Sequence, residues 1–305
     1  MDILRIEQLH KSFGKNEVIK GLSLQVPEGE IFGFIGQNGA GKTTTMKMVL
    51  GLLPADAGNI YVCGEQVRFG ETKTNEVIGY LPDVPEFYPY MTAMEYLKLC
   101  GQVTGLTPEK TKARSIELLG LVGLPISKKK IGGYSRGMKQ RLGIAQALLN
   151  QPKLLICDEP TSALDPVGRK EILDILLAVK QQTTVLFSTH ILSDVERICD
   201  RVAVLHDGVI QLIGTLQELK AQHKAETLAL EFQSQVDCKK FFDLMVERIA
   251  DLKCDVNGNE VTIHTDDLPK TQTQAMELLV QEGILPIRIE ALEPSIESLF
   301  LGVVS

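Results

Sequence analysis

The residues best suited to chemistry run consecutively: Gly36-Gln37-Asn38-Gly39-Ala40-Gly41-Lys42-Thr43. They match the spacing G-x-x-x-x-G-K-[ST] of a phosphate-binding loop. Gly36, Gly39 and Gly41 let backbone N–H groups curl around a phosphate, with Asn38, Ala40 and Thr44 in the same cradle. Lys42 would reach the β- and γ-phosphates of a nucleotide, and the Thr43 hydroxyl would ligate Mg²⁺. An accidental glycine-rich turn would read the same way, so the flanking elements decide. Ile31-Phe32-Gly33-Phe34-Ile35 reads as a buried strand before the loop. Met46, Val49, Leu50 and Leu53 recur at helical spacing after it, with Gly51 and Pro54 as stops. Strand, glycine loop and helix together predict a nucleotide site, the helix N-terminus adding partial positive charge.

Further candidates follow downstream. Leu154-Leu155-Ile156-Cys157 is an apolar run expected of a strand buried on both faces, and it delivers Asp158 and Glu159 to its end. Asp158 suits an indirect Mg²⁺ ligand, and Glu159 suits activation of a water aimed at the γ-phosphate. His190 sits past a second strand, Thr184 to Ser188, where it could donate to a phosphate oxygen or cap the next helix. Asp83 follows the strand Ile78 to Leu81 at a proline-marked corner; it could bind Mg²⁺ or water, or be a solvated turn residue. Ser135 is placed as an N-cap, and with Gly137 it makes a second potential anion site. Phe13 could stack on an adenine ring or belong to the core.

The elements that must position these residues form an α/β pattern interrupted once. Ile3 to Val26 reads as strands split by a turn, and Ile60 to Gly64 as another. From about Pro85 to Leu149 the pattern turns helical, with Met94, Leu97, Lys98 and Gly101 on one face and Ile116, Leu119, Gly120 and Gly123 on another. Phe87, Tyr88 and Tyr90 open this block, either packed under the loop or free for a partner. Asp207-Gly208 marks a hairpin. Beyond a charged boundary at residues 219–226, the order strand, helix, hairpin around Asn257-Gly258-Asn259, helix, strand gives βαββαβ. The expected stripes there are Phe241, Leu244, Met245 and Ile249, then Ala275, Leu278 and Leu279.

A chain of 305 residues has room for two domains and a sizeable core, and 44% hydrophobic with 23% charged residues argues against disorder. The net charge of -7 and the lack of a long basic block give no grip on nucleic acid. The six cysteines form no C-x-x-C pair, which points to reduced thiols. The charged start, Met1 to Glu7, is unlike a signal peptide, and no apolar run approaches the ~20 residues of a membrane span. At a membrane, another chain must hold it.

In this order the residues resemble the nucleotide-binding domain of ABC transporters, over about Met1 to Leu219. The resemblance implies a P-loop NTPase, ABC-type ATPase domain at 1–219 with a helical subdomain at about 85–150. A small C-terminal α+β (βαββαβ) accessory domain would follow at 226–305. It makes Phe13 the base-stacking aromatic, Asp83 the lid-loop acid, Tyr134 to Arg141 the signature and His190 the switch. Two chains would close over two ATP molecules with Mg²⁺, as a homodimer or with a paralogue. Ser135 and Gly137 of one chain would complete the site built by Lys42 and Thr43 of the other. Glu159 would activate water while His190 senses the γ-phosphate. The subtype resembles exporter ATPases for multidrug, antibiotic or lipid-like cargo, with a separately encoded membrane permease. Glu293 to Phe300 resembles their tail. Such a subunit would be cytoplasmic and peripheral at the inner face of the cell membrane. Two positions depart from the commonest pattern: Asp83 stands for Gln, and Arg136 and Met138 alter the Leu-Ser-Gly-Gly-Gln signature. Rival readings are a soluble relative acting on ribosomes or DNA, and a non-hydrolysing regulatory module. One phosphate loop without sustained heptads argues against the first; intact Lys42, Asp158, Glu159 and His190 argue against the second.

Overall fold

Two antiparallel strands open the chain, β1 (Asp2–Phe13) and β2 (Asn16–Pro27), and their burial alternates with the apolar pattern. This is a computed structural model, and it describes residues 2–222, 226–249, 252–265 and 267–292. The chain divides into two units, Met1–Leu216 and Gln217–Ser305, so the division falls slightly before the expected residue 219.

In the first unit, β3 (Ile31–Ile35) leads through the glycine loop to α1 (Lys42–Val49). Strands β4 (Ala57–Val62) and β5 (Glu65–Gln66) return to the first sheet, whose order is β2-β1-β4-β5. Next come β6 (Ile78–Leu81), then helices α2 (Ala93–Val103), α3 (Pro108–Leu121) and α4 (Arg136–Ala147). After them β7 (Leu154–Asp158), α5 (Pro166–Val179), β8 (Thr184–Thr189), α6 (Leu192–Ile198), β9 (Arg201–His206) and β10 (Val209–Thr215) complete the unit. The second sheet has the order β10-β9-β3-β8-β7-β6 and is parallel except for the β9–β10 hairpin. Every residue of β3, β7 and β8 is buried, as a parallel sheet covered on both faces requires. Parallel pairing brings the carboxyl ends of β3, β7 and β8 side by side, so the phosphate loop, the acid pair and the residue after β8 start from neighbouring points.

The helical block differs from expectation in one respect. On α3 the buried residues are Thr111, Ser115, Leu118 and Leu119, while Ile116 is exposed. Thr111 packs closely on α2, where a Cβ on Gly101 would overlap the Thr111 side chain. The Thr111 and Ser115 hydroxyls donate back to the carbonyls of Thr107 and Thr111, so burying them leaves no orphaned donor. The aromatic opening divides: Phe87 packs edge-on against Tyr96 with ring centroids 5.0 Å apart, but Tyr88 and Tyr90 are exposed. Ser135 caps α4 as expected; Thr92 forms a capping box at α2, and Thr107 and Asp165 accept from the first-turn N–H groups of α3 and α5.

A short helix, α7 (Leu216–Gln222), precedes the β-rich remainder. The second unit runs β11 (Glu226–Phe232), α8 (Gln235–Arg248), β12 (Lys253–Asn257), β13 (Glu260–Thr265), α9 (Leu268–Glu282) and β14 (Pro286–Leu292). Its sheet order is β12-β13-β11-β14 with every pair antiparallel, the split βαβ arrangement. Leu228, Leu230, Phe232, Phe241, Met245 and Leu278 form its core. The stretch Glu293 to Phe300 lies outside the described residues. Among the described residues, no helix is long and apolar enough to cross a membrane.

Candidate active site

The glycine loop closes on α1 because its glycines occupy positions that a side chain would contest. Gly41 is the helix N-cap at φ 110°, and a Cβ on Gly36 would meet the Leu205 carbonyl oxygen at 2.6 Å. Lys42, the first helical residue, is 5% exposed. Its Nζ donates to the Gly36 carbonyl at 2.6 Å and the Gln37 carbonyl at 3.3 Å, and lies 3.1 Å from Glu159 Oε1. A buried ammonium needs such compensation. The loop walls a pocket of about 230 Å³ lined by Gln37, Asn38, Gly39, Gly41, Lys42, Thr43, Thr44, Asp83 and Glu159.

The end of β7 supplies the acids. Asp158, buried, accepts from the Thr43 hydroxyl at 2.7 Å on Oδ2 and from the Ser188 hydroxyl at 2.6 Å on Oδ1. Glu159 follows with φ 48°, a left-handed conformation costly for a residue with a side chain. Its backbone N–H is held by both the carbonyl and the hydroxyl of Ser188. Its Oε2 pairs with His190 Nδ1 at 2.8 Å. Its Oε1 receives no well-aligned hydrogen bond, although the Lys42 ammonium balances its charge. One carboxylate oxygen at the pocket wall is therefore fixed, buried and open to a further donor.

Other expected residues fall into place less directly. His190 reaches the pocket through Glu159; it does not cap α6, whose N-cap is Ile191 with no side-chain bond. Asp83 lines the pocket but pairs with Arg136 at 3.4 Å. Burial pushes the Asp83 carboxyl up, the Arg136 guanidinium opposes this, and the negative charges of Asp158 and Glu159 reinforce it. Phe13 is 51% exposed, which removes the core alternative, and it is not among the residues lining the phosphate pocket. Ser135 caps α4 by accepting from Met138 N–H, and neither it nor Gly137 lines the pocket within one chain. The hard oxygens of Thr43 and Asp158 suit a divalent cation. Among the described residues no group of three or more His, Cys, Asp or Glu could hold a metal, so such a cation would complete its shell from phosphates and water.

Comparison with known proteins assigns this architecture. The ABC transporter family model matches residues 19–162. The ABC transporter ATP-binding protein YxlF of Bacillus subtilis (strain 168), itself uncharacterized, is 39% identical over 99% of both chains. The chain belongs to the ABC transporter ATP-binding proteins. The bacitracin transport ATP-binding protein BcrA of Bacillus licheniformis is 36% identical over 99% of this chain and 97% of that one. A solved ATP-binding subunit of an ABC transporter superposes with a TM-score of 0.66 at 32% identity, covering 72% of this chain and 92% of that chain. This ABC protein binds ATP and hydrolyses it as the ATPase subunit of a transporter.

Three features of this ATPase escape a reading of the sequence. Ser188 orients both acids at once, and the only hint is a serine within a strand that is buried throughout. Asp194, buried on α6, accepts from the Thr161 hydroxyl at 2.8 Å and from Arg169 at 2.6 Å. This fixes the turn that follows Glu159. Gln140, fully buried on α4, donates to the Asp83 carbonyl at 2.6 Å. These contacts join residues 25 to 57 positions apart, which local pattern does not report.

Proposed function

We propose that this ATPase powers an exporter, acting through a separately encoded membrane-spanning permease at the inner face of the cell membrane. The observation that carries the catalytic part is Glu159 Oε1, buried beside the phosphate loop, paired with the Lys42 ammonium and with a lone pair left for a further donor. A water bound there would be aligned on the γ-phosphorus. As the new O–P bond forms and the bond to the β–γ bridging oxygen breaks, Glu159 takes the water proton and ADP leaves with the bridging oxygen. Lys42 and the loop N–H groups, including those of Asn38, Gly39, Ala40, Gly41 and Thr44, hold the phosphates. His190 holds Glu159 in place and senses the γ-phosphate. Thr43 and Asp158, with Asp83 nearby, would hold Mg²⁺, which supplies charge neutralisation to the phosphates when bound. Phe13 offers an exposed ring for the base.

Ser135 and Gly137 lie apart from the pocket of their own chain, so they are assigned to the ATP held by a second chain. The full set of site residues in one sequence supports a homodimer over pairing with a paralogue. The permease contact is assigned to the cleft of about 450 Å³ lined by Val84, Pro85, Phe87, Pro89 and Ile131, which shares Asp83 with the phosphate pocket. An antibiotic or similarly amphiphilic cargo is supported by the full-length match to a protein named for bacitracin transport.

The test is recovery of tagged Glu159→Gln from detergent-solubilised native membranes, with and without ATP. A multi-span membrane protein should co-purify with it. Recovery of ribosomes or DNA-bound factors in its place would contradict the exporter reading.

A further inference from the structure

Arg136 stands where local preference would not put it. It is the first residue of α4, and the first turn of that helix carries no acid. A cation at a helix N-terminus opposes the helix dipole, so some interaction outside the helix must favour it. That interaction is with Asp83: the Arg136 guanidinium lies 3.4 Å from the carboxylate. One turn further along α4, Gln140 donates to the carbonyl of the same residue at 2.6 Å. Two contacts from one helix therefore fix both the backbone and the charge of Asp83.

Fold stability does not explain the pair. Both side chains are close to half exposed, at 43% and 47%, and exposed ion pairs contribute little to stability. The position of Asp83 matters more. It lines the phosphate pocket together with Lys42 and Glu159, and Asp158 lies close enough to act on its charge. Three carboxylates around a pocket for a polyphosphate anion would repel it. Lys42 is already committed to Glu159 and two loop carbonyls.

We propose that Arg136 is a positioning residue for nucleotide binding, holding and neutralising Asp83 at the wall of the phosphate pocket so that phosphates can enter. This rests on the phosphate-pocket reading above. It requires the two residues to act as a unit: with Asp83 made neutral, Arg136 is no longer needed.

The experiment is calorimetric titration of ATP with Mg²⁺ into the full-length chain carrying Glu159→Gln, so that binding is read without turnover. Into this background go Arg136→Ala, Arg136→Lys, Asp83→Asn and the double variant Asp83→Asn/Arg136→Ala. Arg136→Ala should weaken binding by about five- to tenfold, in the range of coupling between contacting charges. Arg136→Lys should bind within about twofold of the parent, and the double variant within about twofold of Asp83→Asn alone. All four should keep the parent's melting temperature, since the pair is exposed. Losses that simply multiply in the double variant would overturn the proposal and place the effect of Arg136 elsewhere, across a dimer for example. Lys42→Ala, run alongside, separates the two levels of argument. If it abolishes binding while the cycle is multiplicative, the inference alone fails; if it binds as the parent does, the pocket reading fails as well.

Discussion

At the scale of single residues, one hydroxyl organises the acid pair. Ser188 donates to Asp158 Oδ1 and accepts from the Glu159 N–H, inside a strand with no exposed residue. Removing it leaves the Glu159 N–H with the residue-188 carbonyl alone and takes one of two partners from the buried Asp158 carboxylate. Ser188→Ala should therefore cost about 1–3 kcal/mol in denaturant unfolding and slow ATP hydrolysis with it. A variant matching the wild type in both would show that the backbone alone places the acids. Much of the site was legible before the fold was known. Lys42, Thr43, Asp158 and Glu159 announce themselves through the motif, an apolar run and the rule that ligand groups sit at strand ends. Ser188 does not, because its meaning depends on β8 lying beside β7, and register between distant strands is not written in either strand. The partner of Asp83 was equally hidden, since Arg136 is 53 positions away.

At the scale of elements, the turn after β7 is held by α5 and α6. Thr161 of the turn and Arg169 of α5 both donate to Asp194 of α6. Asp194 is 2% exposed, whereas the Arg169 side chain is 30% exposed and partly recovered by water. Asp194→Ala should lower stability by about 2–3 kcal/mol, read as a lower urea midpoint with an unchanged slope. Turnover should fall further than the folded fraction does, because Glu159 sits two residues before Thr161 in a left-handed conformation that its surroundings must enforce. A normal rate in the folded fraction would detach the network from the site. Element type and order followed from periodicity and stop signals, and the start of α4 from the Ser135 cap. The buried face of α3 did not. The expected face carried Ile116, yet Ile116 is exposed and Thr111 and Ser115 are buried, Thr111 closely packed against Gly101.

At the scale of the molecule, two units each carry their own core, and the candidate site belongs wholly to the first. The second unit's pattern was legible because a βαββαβ order with a hairpin at Asn257-Gly258 leaves few topologies that bury both helices. The account of the whole depends on Glu159 being the group that takes the proton from water. The direct test is phosphate release by purified Glu159→Gln beside the wild type, with ATP binding and dimer formation measured on the same samples. The account predicts a rate lower by about 10²–10⁴-fold, with ATP still bound and the ATP-dependent dimer retained. Wild-type phosphate release by Glu159→Gln would contradict it.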